Sequence, residues 1–189
     1  MKKIVLSLFL FAFLIGAKAQ FTHSAGATLF LASPSSGSST TAWGVTYSPR
    51  YCFNPSFSVG VPLSLGLASS GSYNSREGAS GSSSITLQLP VMVDYNLGLG
   101  SSESADDDNF GFYAGLGFGY FATSYSDVVT DSYGNSIGGS GTLKATGPLG
   151  HAGIRFKFRD NNMDLGVSFH KGLSEEKASI IGITLLYGF

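Results

Sequence analysis

The sequence predicts an all-β protein, an eight-stranded antiparallel up-and-down transmembrane β-barrel, and three observations predict it. Apolar residues alternate with small or polar ones at period two through eight successive segments. The face opposite the apolar stripe is built from Gly, Ser and Thr with few charges, too little to coat a protein surface in water. No segment beyond the N-terminal leader is long and apolar enough to cross a bilayer as a helix. A chain that crosses lipid without helices must close its strands into a ring, because only helices and closed barrels pair every backbone group there.

The elements follow in order. Lys2 and Lys3 precede an apolar run from Ile4 to Ile15, and Ala17-Lys18-Ala19 has the small-x-small form of a cleavage site. This predicts a signal peptide over residues 1–19 and a barrel domain over 20–189. In the first strand Ala25, Ala27, Leu29 and Leu31 share one face, with Ser24, Gly26, Thr28 and Phe30 on the other. Trp43, Val45, Tyr47, Pro49, Tyr51 and Phe53 mark the second strand, and Phe57 through Leu67 at odd positions the third. The fourth carries Ile85, Leu87, Leu89, Val91, Val93, Tyr95 and Leu97 against Thr86, Gln88, Pro90, Met92, Asp94 and Asn96. Phe112 to Tyr120 at even positions oppose Tyr113, Gly115, Gly117 and Gly119 in the fifth. The sixth is faint at its start and clear from Ala152 to Phe158; Leu165, Val167 and Phe169 define the seventh, and Ile181 to Phe189 the last.

The connections alternate as well. Those near Ser33 to Thr40, Ser70 to Ser82 and Ser126 to Ser140 are rich in Ser and Gly and read as long outer loops. Asn54-Pro55 and Arg159 to Asn162 read as tight turns on the opposite side. The acidic stretch from Gly98 to Asn109 is longer than such a turn needs, and the connection near Gly172 to Lys177 is shorter than the other outer ones. Tyr47, Tyr51, Phe53, Tyr95, Phe112, Phe158, Tyr187 and Phe189 gather at strand ends, where an interfacial aromatic girdle belongs.

Eight strands leave an interior just wide enough for side chains to fill. Arg50, Asp94, Arg155, Lys157 and Asp164 fall on the inward face near the tight-turn end. Buried there, they require partners, so a salt-bridge and hydrogen-bond network is expected, acting as a plug rather than lining a path for ions.

Other chemistry is weakly signalled. Without Lys2, Lys3 and Lys18 the basic count falls from 11 to eight against 12 acidic residues, which argues against nucleic acid as a partner. Cys52, the one cysteine, suits a small buried filler. Gly115, Gly117 and Gly119 lack the spacing of a phosphate loop and suit relief of crowding in the lumen. Asp106-Asp107-Asp108-Asn109 lacks the pattern of an ion-binding loop, and His23, His151 and His170 stand on separate strands without metal spacing. No cofactor and no metal is expected.

The chain end carries a resemblance. Ile183, Leu185, Tyr187 and Phe189 form an apolar stripe ending on an aromatic residue, and this resembles the closing strand of outer-membrane barrels, the signal read by their assembly machinery. With the leader and the Gly/aromatic alternation, the chain resembles the small outer-membrane β-barrel family, of the OmpA/OmpX-like or PorT-like type found in Bacteroidota. The resemblance implies a bacterial outer-membrane location, contact with outer-membrane lipid and lipopolysaccharide, and delivery by periplasmic chaperones to the barrel-assembly machinery. Some small barrels are lipid A deacylases, with Ser two residues after a membrane-facing His. Here Gly172 stands two residues after His170, which itself points inward, so an enzyme is not expected. The reading is a non-enzymatic membrane protein with a structural or surface-interaction role through its outer loops, meeting an extracellular ligand of unknown kind; the alternative is a narrow pore for small solutes or ions.

Overall fold

Backbone pairing in the computed structural model runs from each strand to the next and then back to the first. Described are residues 20–33, 39–54, 56–74, 78–99, 109–130, 136–159, 161–173 and 177–189; the expected leader lies outside them. The strands are β1 (Gln20–Ser33), β2 (Thr40–Asn54), β3 (Phe57–Gly60), β4 (Leu63–Asn74), β5 (Gly78–Gly98), β6 (Phe110–Thr130), β7 (Ser136–Phe158), β8 (Asn161–Lys171) and β9 (Ser179–Gly188). All pairings are antiparallel, and β1 meets β2 on one edge and β9 on the other. The segments β3 and β4 share one place between β2 and β5, so the nine segments make a ring of eight strands.

The third strand, expected as continuous, is interrupted at Val61 and Pro62. Proline has no N–H to donate to a ladder, and Val61 N–H bonds the Pro49 carbonyl across the gap at 3.2 Å. Two strand ends have local causes. The Asn54 side-chain oxygen accepts the N–H groups of Ser56 and Phe57 at 2.9 and 2.7 Å, closing the β2–β3 turn. Gly98 ends β5 with φ of 68°, and a side chain there would meet the Phe110 carbonyl at 2.5 Å.

Parity decides which side chains meet lipid. On β2, β4, β5 and β9 the odd positions point outward, and on β6 the even ones do. Trp43, Leu65, Val91, Phe118 and Ile183 therefore stand exposed on the outside, and Leu116 is 76% exposed. This inverts the globular rule and fits a protein whose outer solvent is hydrocarbon. From Phe110 to Tyr120 on β6 there are ten residue steps; at about 3.3 Å each and a tilt of about 40°, the apolar belt is about 25 Å tall. Its lower rim is aromatic. Phe57 packs on Phe53 and Tyr95 with ring centroids 6.3 and 5.2 Å apart, and Phe110 on Phe112 at 4.8 Å. His23 joins this rim from the outward face of β1, bonded to the Tyr47 hydroxyl and stacked at 6.1 Å on Phe189.

The upper rim departs from expectation. Ser70 to Ser82 and Ser126 to Ser140 read as long loops, yet most of these residues are strand. Ser69, Ser70, Gly71 and Ser72 pair with Ser83, Ser82, Gly81 and Ser80, and Ser126 with Ser140. The reason is the change of solvent along one strand. Above the belt both faces meet water, so the apolar alternation that marks a strand disappears while the backbone ladder continues. The β1–β2 and β8–β9 hairpins stop at the belt, whereas β6 and β7 continue to Thr130 and Ser136. One side of the barrel thus rises as a sheet about 25 Å beyond the lipid.

Position relative to the membrane can be tested by charge. Leu116→Arg, at mid-belt, is expected to destabilise the folded barrel by about 2–4 kcal/mol. Ile137→Arg, on the projecting sheet and 77% exposed, should stay within about 0.5 kcal/mol. Denaturant titration in lipid vesicles, followed by Trp43 fluorescence, measures both.

Candidate functional site

The lumen has two chemically different halves. Toward the outer end Phe30, Phe121, Leu143 and Ile180, with Ala32, Ala42, Ala145 and Ala178, form one buried apolar cluster. Phe30 and Phe121 meet edge to face at its centre, 6.1 Å apart. Their strands supply them by the same parity that sends Leu29 and Tyr120 to the lipid. Hydroxyls satisfy one another across strands, Thr46 with Ser64 at 2.7 Å below the cluster and Thr86 with Thr123 at 2.9 Å at the level of Leu143.

The half nearer the periplasmic turns is ionic. Arg155, only 1% exposed, places Nε 3.1 Å from an Asp164 oxygen and donates from Nη1 to the Asn96 side-chain oxygen at 2.7 Å. Its guanidinium also lies 4.6 Å from the centre of the Tyr113 ring. Asn96 in turn donates to Ser58 Oγ at 3.0 Å. Asp94 pairs with His151 Nε2 at 2.6 Å, and the Tyr113 and His151 rings meet at 5.2 Å. A chain of side chains from β3, β5, β6, β7 and β8 therefore spans the barrel.

Glycine makes room for it. A side chain at Gly115 would collide with the Asp94 carboxylate and with His151 at 2.7 Å, and one at Gly153 would meet the Tyr113 hydroxyl at 2.5 Å. The glycine run of β6 is thus the floor on which the ionic residues of β5 and β7 lie.

Of the five charged residues singled out in the sequence, the structure brings together Arg155, Asp164 and Asp94, the last through Tyr113 and His151. Arg50 makes no direct ion pair among the described residues; half-buried on β2, it directs its Nε–H to Thr22 Oγ1 at 3.3 Å and lies beside Cys52. Lys157 is exposed at the rim, its backbone N–H bonded to the Asn109 carbonyl at 3.1 Å. Asn96, Tyr113 and His151 were not counted in the network, although their parity placed them inside it. Cys52 is buried and unoxidised on the inward face of β2. His170 is fully buried between Leu149 and Ile180, and neither ring nitrogen reaches a hydrogen-bond partner. Among the described residues no cluster of His, Cys, Asp and Glu could hold a metal ion.

Comparisons with known proteins agree with this architecture. A model of the outer membrane protein beta-barrel domain matches residues 5–189, and the chain belongs to that family. Ail, the attachment invasion locus protein of Yersinia pestis, is 14% identical, with a TM-score of 0.57 over 92% of this chain and 99% of that one. Neisserial surface protein A is 14% identical, with a TM-score of 0.53 over 90% and 97% of the two chains. OprG of Pseudomonas aeruginosa is 12% identical, with a TM-score of 0.53 over 92% and 97%. At these identities the likeness is one of fold. A search of curated proteins found no match. The protein is a bacterial outer-membrane barrel.

Removing one partner of the buried pair leaves the other charge stranded, at a typical cost of about 3–5 kcal/mol. Arg155→Met is expected to destabilise the barrel by about 3 kcal/mol, and adding Asp164→Leu should recover a large part of that loss. Unfolding titrations of the single and double variants measure the coupling.

Proposed function

We propose that this barrel is a non-enzymatic, non-conducting platform whose role lies in the sheet it raises above the membrane. One observation carries the reading: the free edge of β7. From Ile137 to Leu143 this strand pairs with β6 alone among the described residues, while its pairing with β8 begins at Leu149. Alternate backbone N–H and C=O groups along that stretch therefore face water, and they are available to an added strand. Such an edge binds an extended peptide by β-augmentation. Natural sheets shield exposed edges, because an open one templates pairing with another chain. Gly138, Gly139, Ser140 and Gly141 keep this edge free of bulk that would block a partner's backbone. The structural role and the surface role are compatible, since the ionic lumen fixes the barrel from which the sheet rises.

The remaining partners follow the same reading. The Met1–Ala19 leader directs export, and periplasmic chaperones deliver the chain to the assembly machinery. That machinery reads the outward stripe of Ile183, Leu185, Tyr187 and Phe189, all exposed on β9 or just beyond it. Lipid and lipopolysaccharide then cover the apolar belt.

The rival reading, a narrow pore, is opposed by the apolar cluster around Phe30 and Phe121. In planar bilayers the native barrel is expected to give no conductance steps, and Phe30→Ala/Phe121→Ala to give small ones. Steps from the native barrel would make it a channel. For the edge, Gly138→Pro/Ser140→Pro is expected to leave folding intact, read as the gel shift between unheated and boiled samples, because the even positions of β7 face away from β6, as the bond from Leu173 N–H to the Thr146 carbonyl shows. The same variant should lower capture of extended peptides from a display library about tenfold; equal capture by native and variant barrels would sink the edge reading.

A further inference from the structure

We infer that the lipid-facing side of β5 to β8 holds one phospholipid acyl chain, drawn from the periplasmic leaflet, in a trough cut into the apolar belt. Outward residues stand in rows that follow the pairing from strand to strand. One row runs through Phe57, Tyr95, Ala114, Ala152 and Val167. The next runs through Val93, Leu116, Gly150 and Phe169. Between them lies a cavity of about 800 Å³ on the outer face.

The trough exists because Ala114, Gly150 and Ala152 are neighbours on β6 and β7. The rows on either side carry larger groups, Phe112 and Ile154 below, Phe118 and Pro148 above. Leu116 leans in over Gly150, its Cδ2 standing 3.4 Å from where a Cβ would be. The wall behind is one backbone thick, and the Asp94–His151 pair lies on its lumen side at Gly115.

The trough also slopes. Followed through its pairings, the Leu116 row leaves β1 at Phe21 and returns to it at Leu31, ten residues nearer the outer rim. The low end is therefore at Phe57 and Tyr95, in the aromatic rim on the periplasmic side, where Phe57 adjoins the Asn54 turn. At the high end both rows run into β-branched residues of β9, Ile183 after Val167 and Ile181 after Phe169. A chain can thus enter from below, at the level of the phospholipid headgroups, and is stopped above.

The membrane already covers this belt, so the occupant is drawn from it. Water does not fill a hollow in hydrocarbon, and an empty one would forfeit the dispersion contacts of its walls. On the rest of the belt an acyl chain touches protein on one side; in the trough it is touched on its floor and both flanks. A second barrel is convex and would meet only the ridges. Lipid A enters from the outer leaflet, against the closed end. The trough is made of belt residues alone, so it stands whether or not the β7 edge binds a partner.

The test reads the lipid that the folded barrel carries. The protein is reconstituted in vesicles of phosphatidylethanolamine, phosphatidylglycerol and lipopolysaccharide, extracted into mild detergent and weighed by native mass spectrometry. One phospholipid per barrel is expected. Ala114→Phe/Ala152→Phe, which fills the trough, should fold normally by gel shift and lower that occupancy about tenfold. Val45→Phe, on the opposite side of the belt, should leave it unchanged. Should the double variant misfold, photolabelling of the native barrel with a phospholipid bearing a diazirine in its acyl chain decides, and labels should concentrate between Tyr95 and Val167. Labels spread evenly round the belt, occupancy unaltered by filling, lipid A retained in place of phospholipid, or dimers that carry no lipid would each overturn the site.

Discussion

Everything in this molecule depends on the demand that each backbone N–H and C=O inside lipid be bonded within the protein. An isolated sheet fails at its two edges, and the β1–β9 pairing, ten residues long, removes both. Once the ring is closed, side-chain direction is no longer a matter of packing preference. Each strand must send alternate residues to hydrocarbon and to a narrow lumen, and a slip of one residue would exchange the two sets. The sequence alternation, the exposed aromatics and the interior network are three consequences of that closure.

The narrowness of the ring sets the chemistry inside it. Eight strands leave room for side chains but little for water, so a charge placed in the lumen must find its partner on a nearby strand. Arg155 shows how this is met: one guanidinium contacts a carboxylate from β8, an amide from β5 and an aromatic face from β6. It ties three strands together in the lower half of the lumen, and the glycines of β6 let it do so without widening the barrel. The spacing of Gly115, Gly117 and Gly119 disclosed that relief of crowding, but not which side chains it makes room for.

What the sequence disclosed follows the lipid. Within the belt the two solvents differ, so alternation is strong, and strand type, parity and the terminal Phe189 stripe are all readable. The inward parity of Phe30, Asp94, His151 and Arg155 is readable for the same reason. Partners are not. Asp94 and His151 are 57 residues apart, and their meeting depends on the stagger between β5 and β7 around the ring. The outer ends of β5, β6 and β7 were misread as loops because Ser and Gly on both faces carry no periodic signal. Phe121 and Leu143, on those unread ends, were missed along with them, and so the apolar cluster that closes the lumen was not foreseen.

The same strands thus cross three environments, and each selects a different residue vocabulary. In lipid they are Leu, Val and Phe outside; in the lumen's lower half they are Asp, Arg and Asn over glycine; above the membrane they are Ser, Thr and Gly. Only the first is imposed by the bilayer. A barrel needing stability alone could end its strands at the headgroups, as β1, β2, β8 and β9 nearly do. The extra length of β6 and β7 adds backbone pairing without burying an apolar face, which stabilises little in water. Residues that contribute little to stability yet are arranged as an ordered, open-edged sheet are where an interaction role is best sought. In the reading proposed above, the lumen, closed above by Phe30 and Phe121, holds that sheet in place.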